Sequence, residues 1–116
     1  MRTAAEKRQA LRDGLASDRA VVAVGAHDAL TAKLIGNHGF DAVWVSGLAV
    51  ATVVHALPDV NLTTLTETLD AAIRIDRATD LPVVADCDNG FGGLNNVVRT
   101  LREFDAAGIY WGLFWT

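Results

Sequence analysis

Cysteine is almost missing from this 116-residue chain, with Cys87 standing alone. No internal disulfide can form and no zinc-type Cys/His spacing exists, which suits a reducing compartment, so a cytoplasmic location is expected. Proline is nearly as scarce: only Pro58 and Pro82 occur, and no proline-, glycine- or serine-rich linker divides the chain. One domain over residues 1–116 is expected. Lysine is limited to Lys7 and Lys33, the eight arginines form no block, and the net charge is -4. That balance argues against nucleic acid and anionic membranes as partners. No apolar run is long enough to span a bilayer, and the charged, helix-like opening MRTAAEKRQALRDGL lacks the apolar centre of a signal peptide.

Apolar residues, by contrast, make up 51% of the chain. They come in short runs with helical patterns between them. Residues 4–16 read as a helix carrying Leu11 and Leu15 on one stripe. Residues 20–25 (AVVAVG) read as a strand, and Asp28 caps a helix over 29–38 with Leu30, Leu34 and Ile35 inward and Gly39 as its stop. Residues 42–46 (AVWVS) form a second strand, followed by a less regular stretch through Pro58-Asp59. Thr64 and Glu67 make a capping box opening a helix with Leu65, Leu69, Ala72 and Ile73 on one face. Residues 82–85 form a third strand, and a helix over 94–107 carries Val97, Leu101 and Phe104 up to Gly108. Strands apolar throughout that alternate with helices imply a parallel sheet, one either buried on both faces or leaving apolar surface for a partner.

The segment 81–93, LPVVADCDNGFGG, carries the chemistry. Residues two apart on a strand share a side, so Asp86 and Asp88 face together and Cys87 faces away. Two carboxylates about 6–7 Å apart repel by roughly 2–3 kcal/mol at an effective dielectric near 20. A hard divalent cation turns that cost into a binding site. The same acids also suit a helix cap or an Asx turn, and spacing alone leaves both readings open. Ligand sites of α/β folds lie beyond the carboxyl ends of parallel strands, where this segment ends in a glycine-rich turn.

Residues 109–116 break the pattern, for Tyr110, Trp111, Phe114 and Trp115 fall within the last seven positions. Such a run reads either as a fourth strand, hazardous for aggregation, or as a frameshifted or truncated end, and the second reading is the expectation.

Three motifs in order, GAHDALTAKL, GFDAVWVSGLAVA with LPDVNLTTLTE, and LPVVADCDNGFGGLNNVVRTLREFDAAGI, resemble the phosphoenolpyruvate mutase and isocitrate lyase superfamily from about residue 22 to 109. The resemblance implies the N-terminal half of a (β/α)8 barrel that binds Mg²⁺ and a 2-oxo acid at the strands' carboxyl ends. By motif, Trp44, Ser46, Gly47 and Leu48 resemble the stretch that holds the substrate's phosphonyl or carboxylate oxygens. Asp59, together with Ser46, takes the place of the groups that assist transfer, and Asp86 and Asp88 resemble the metal carboxylates. His27 reads either as a residue that orients a site loop or as a satisfied polar residue at a strand end, and the second is the expectation.

The resemblance further implies phosphoenolpyruvate mutase-like carbon–phosphorus chemistry on a small 2-oxo acid or phosphonate. Phosphonopyruvate hydrolysis, 2-methylisocitrate-type carbon–carbon cleavage and an inactive fragment are the alternatives. The family's acidic pair after the fourth strand and its lysine-bearing loop have no counterpart in IYWGLFWT. A complete barrel takes about 250 residues, so half of one is expected. Full-length relatives are expected to be homo-oligomers, and a chain of this extent to self-associate. A stand-alone flavodoxin-like or receiver module fits poorly, because its acids would follow the first strand.

Overall fold

Four short strands, β1 (Ala23–Ala26), β2 (Ala42–Val45), β3 (Val83–Asp86) and β4 (Tyr110–Gly112), form one parallel sheet in a computed structural model that describes residues 1–113. Around them lie α1 (Ala4–Ala16), α2 (Ala29–Gly36), the single turn α3 (Gly47–Ala49), α4 (Leu65–Arg77) and α5 (Leu94–Ala106). The sheet order is β1-β2-β3-β4, so each strand's neighbour in sequence is its neighbour in space. Doubly wound sheets double back on themselves, as in the order 2-1-3-4-5. The sequential order therefore excludes the flavodoxin-like arrangement and matches consecutive strands of a (β/α)8 barrel.

Side chains along the strands alternate between two environments. Val43 and Val45 of β2, Val83 and Ala85 of β3, and Cys87 just beyond are buried against Ala32 and Ile35 of α2, Ala72 and Ile75 of α4 and Phe104 of α5. Trp44, Val84 and Asp86 point the other way and are half-buried. The sheet thus has a helix-covered outer face and an open inner face.

Both capping boxes form as reciprocal pairs: Thr3 with Glu6 opens α1, and Thr64 with Glu67 opens α4. Asp28 caps α2 by accepting from the Thr31 backbone N–H at 2.7 Å. The inward face of α2 differs from the expected stripe. Ala32 and Ile35 are buried while Leu30 and Leu34 are 67% and 51% exposed. The small Ala32 takes the closest approach to the sheet, which turns the two leucines outward. Leu15 of α1 is likewise exposed, with Leu11 and Lys7 on the buried side.

Two further differences have local causes. Strand β1 starts three residues later than residue 20, after Asp41 Oδ2 accepts from the Val22 N–H at 2.9 Å. The stretch after β2 is helical rather than irregular: α3 runs into a π-helical segment, Val50–Val54. Its VATVV sequence hides the helix, because β-branched residues resemble a strand. In the tail, Tyr110–Gly112 pairs with β3 as a parallel strand, whereas Phe114, Trp115 and Thr116 lie outside the described residues.

Helix α1 closes the amino-terminal end of the sheet. Buried Lys7 donates from Nζ to both Oδ1 and the carbonyl of Asp76, each at 2.8 Å. Arg8 donates to the Asp105 carbonyl at 3.1 Å, and the Tyr110 hydroxyl donates to the Arg8 carbonyl at 2.9 Å. That leaves the opposite, carboxyl end open for chemistry.

Candidate active site at the carboxyl end of the sheet

Register aligns the candidate residues. Val45 pairs with Ala85 and Asp86 with Gly112, so Ser46, Asp86 and Gly112 form one row across β2, β3 and β4. Trp44, one row below, pairs with Gly25 and Val84 and is half-buried on the inner face.

Ser46 ends β2 and begins α3. Its Oγ accepts from the Ala49 N–H at 3.1 Å, and its carbonyl accepts from Val50 N–H at 2.9 Å. A hydroxyl that accepts one bond still has its proton to donate. Gly47, buried as the first residue of α3, faces the acids. A Cβ there would lie 3.2 Å from Asp88 Oδ1 and 3.3 Å from Asp86 Oδ2. Glycine at this point lets two carboxylates approach the backbone closely. Leu48 is 56% exposed, and its carbonyl accepts from the Thr52 hydroxyl at 2.8 Å.

Asp86 is the last residue of β3, and Asp88 lies past the strand in left-handed backbone with φ 45°. The simple strand alternation therefore ends two residues too early to place Asp88. A turn places it instead: Asp86 Oδ1 accepts from the Asp88 N–H at 2.9 Å. Both readings of the acids coexist, since one oxygen of Asp86 orders the turn while Asp86 Oδ2 and Asp88 Oδ1 converge on Gly47. The turn is held from behind by the buried Thr100 hydroxyl, which donates to the Gly90 carbonyl at 2.9 Å.

Electrostatics marks the cluster. The Asp88 carboxyl is pushed up to about 6, first by burial, then by the charges of Asp86 and Asp59. Asp59 is exposed on the loop after the π-helical segment, yet close enough to act on Asp88. Cys87, fully buried among the core residues, has its thiol pushed up to about 12 by burial and by the charges of Asp86 and Asp88, which makes it inert. Among the described residues no group of three His, Cys, Asp or Glu side chains is set to hold a metal ion. The donor set is instead a convergent pair, whose chemistry fits a hard divalent cation sharing its remaining positions with water and ligand oxygens. A cleft of about 500 Å³ between the first turns of α4 and α5 is lined by Thr64, Asn89, Phe91 and Arg99 but by none of these acids.

Residues 50–54 offer no local signal for a helix, and the motif around Gly47 implies only a backbone role for it. Its use as the wall that the acids face had no sequence signal beyond its place in a strand-to-helix turn.

The family described as phosphoenolpyruvate phosphomutase matches residues 11–112. The 2,3-dimethylmalate lyase of Eubacterium barkeri is 47% identical over 109 residues, covering 94% of this chain and 36% of that protein. Among solved structures, the phosphoenolpyruvate phosphomutase from Streptomyces platensis subsp. rosaceus superposes with a TM-score of 0.82 at 41% identity, covering 93% of this chain and 36% of that one. A phosphonopyruvate hydrolase solved with oxalate and Mg²⁺ gives 0.82 at 37% identity over 89% of this chain and 36% of the other. The chain thus spans about a third of the length of the relatives it matches. It belongs to the phosphoenolpyruvate phosphomutase family, in the superfamily shared by phosphoenolpyruvate mutases and isocitrate lyases.

Proposed function

We propose that this chain carries the metal-holding and substrate-holding portion of a Mg²⁺-dependent enzyme that makes or breaks a carbon–phosphorus or carbon–carbon bond in a small 2-oxo or 2-hydroxy acid. The observation that carries the reading is the convergence of Asp86 and Asp88 on the Gly47 backbone, with the charge of Asp59 acting on Asp88. Mg²⁺ bound there would polarise the 2-oxo group and stabilise enolate charge.

The chain's own groups do the rest. Asp86 and Asp88 would hold the cation, with Asp86 also fixing the turn that aims Asp88. The Ser46 hydroxyl and the backbone of Gly47 and Leu48 would hold the oxygens of the transferred group. Trp44, on the inner face one row below, would form an apolar floor that excludes water. Asp59, on its exposed loop, would approach from the open side to assist transfer. The first reading of the reaction is interconversion of phosphoenolpyruvate and phosphonopyruvate, supported by the 41% identity to a solved phosphomutase and by Trp44 in the WVSGL stretch. Carbon–carbon cleavage of a 2,3-dimethylmalate-like acid is the second reading, favoured by the 47% identity to that lyase.

The test has two stages. Calorimetric titration should show Mg²⁺ binding that Asp86→Asn abolishes, and oxalate binding that requires Mg²⁺. Phosphorus NMR with 3-phosphonopyruvate then separates mutase from hydrolase, and loss of 2,3-dimethylmalate identifies the lyase. Absence of any Mg²⁺ binding would overturn the reading.

A further inference from the structure

The turn that carries Asp88 is anchored on both sides of it. Cys87, just before Asp88, donates its N–H to the Gly112 carbonyl of β4 at 3.0 Å, and Gly90 donates its own N–H back to the Cys87 carbonyl at 2.8 Å. The other anchor is α5. The hydroxyl of fully buried Thr100 donates to the Gly90 carbonyl at 2.9 Å. The Gly90 backbone also lies against Val97, three residues earlier on the same helix: a Cβ on Gly90 would come within 2.6 Å of Val97 Cγ2 and 3.2 Å of Val97 Cα. Helix residues three apart share a face, so one face of α5 both supports the turn and bonds it. The turn needs that support. Asp88, Gly90, Phe91 and Gly92 have φ of 45°, 93°, 63° and 150°, and non-glycine residues keep such backbone only where their surroundings over-determine it.

We infer that Thr100 is a positioning residue of the cation site: through Gly90, its hydroxyl sets where the Asp88 carboxylate stands relative to that of Asp86. The inference rests on the Mg²⁺ reading above and adds what fixes the spacing of the two acids. Asp86 is placed by the sheet, where it pairs with Gly112. Asp88 lies past the ladder, so its place follows from the turn, between Cys87 held by β4 and Gly90 held by α5. The bond from the Asp88 N–H to Asp86 Oδ1 lies within the turn and ties it to nothing outside β3. Like charges push the two carboxylates apart, and a tie to a packed helix resists that push. A methyl in place of the hydroxyl would leave the carbonyl of buried Gly90 without its donor, and it could regain one only by moving the turn. Mg²⁺ demands oxygens at about 2.0–2.1 Å in near-octahedral array, so a small displacement of one carboxylate is felt as lost affinity.

Calorimetric titration of the 116-residue chain with Mg²⁺ tests this. Thr100→Val keeps the shape of the side chain and removes its donor, and should weaken Mg²⁺ about tenfold, the usual cost of losing a group that orients a metal ligand. Thr100→Ser restores the donor and should bind within about threefold of the parent. Lys7→Ala destabilises the chain from the opposite end of the sheet and should leave Mg²⁺ affinity within about twofold, which separates positioning from general loss of stability. Far-UV circular dichroism fixes a temperature at which every variant is folded. Should Thr100→Val not fold, Val97→Ala, at the half-buried residue beneath Gly90, decides in its place: about threefold weakening is expected, and unchanged affinity overturns the inference. Parent-like Mg²⁺ affinity in Thr100→Val overturns it, as does equal weakening in Thr100→Ser or in Lys7→Ala, and each of these leaves the function reading intact. A parent chain that binds no Mg²⁺ overturns the function reading, and this inference with it.

Discussion

Asp88 is a carboxyl whose charge is disfavoured in the folded chain, and that fixes how stability depends on pH. Its folded value, about 6, lies above the ordinary aspartate range near 4. Between these values the folded state holds more protons than the unfolded one, so stability falls as pH rises through the window and is level above it. After discounting for the solvent that reaches this half-exposed group, the loss is about 1 kcal/mol. Urea melts from pH 4 to 7 without metal should show that decline, and Asp88→Asn should remove it. Added Mg²⁺ should restore stability at pH 7 in the parent chain alone, by mass action. Gly47 gives a second expectation at this scale. An added methyl sits 3.2–3.3 Å from the two carboxylate oxygens, tighter than ordinary contact, and the acids must part to admit it. Gly47→Ala should weaken Mg²⁺ binding about tenfold by calorimetry while the melting temperature changes little, since the backbone there is already helical. The acids themselves were legible from D-x-D after an apolar strand. Their geometry was not, because Asp88 reaches its place through a left-handed turn that spacing cannot encode.

Helices and strands were legible wherever a local rule decided them. The capping box of Thr64 and Glu67 starts α4 at the expected residue, and Gly108, with φ 77°, ends α5 where expected. Thr64→Ala should cost about 1 kcal/mol in urea melts, by freeing the Glu67 N–H that its hydroxyl now satisfies. Elements whose form depends on distant partners were not legible. Leu30 and Leu34 match a helical stripe, yet α2 buries Ala32 because packing distance to the sheet decides, and nothing local reports it. Lys7 is a sharper case. A lysine on an amphipathic helix reads as solvated, but this one is 4% exposed and bonded to a residue 69 positions away. Removing the ammonium leaves Asp76 partly buried without its counter-charge, so Lys7→Ala should destabilise by about 2–3 kcal/mol, at the lower edge of what broken buried pairs cost.

At the scale of the molecule, the four strands make half the complement of an eight-stranded barrel, with a radius of gyration of 13.6 Å. That is about what a domain of this length has, so the chain is compact while its sheet remains open. β1 and β4 each have one neighbour among the described residues, and Leu30, Leu34, Leu94, Val98 and Trp111 are exposed around them. The purified 116-residue chain should therefore elute above monomer mass and bind a hydrophobic dye. A monodisperse monomer with a sharp cooperative melt would count against that expectation. The barrel class was legible because three motifs kept their order and spacing, and the sequential strand order agrees with it. Helix α1 has one more consequence, and it concerns time. Its bonds reach residues 69, 97 and 102 positions away, to Asp76, Asp105 and Tyr110. The buried lysine of α1 gains its partner once Asp76 is made, and the helix gains the hydroxyl of Tyr110 only later. At 5–20 residues per second that last partner follows α1 by roughly 5–20 s, so the helix docks in stages behind the growing chain.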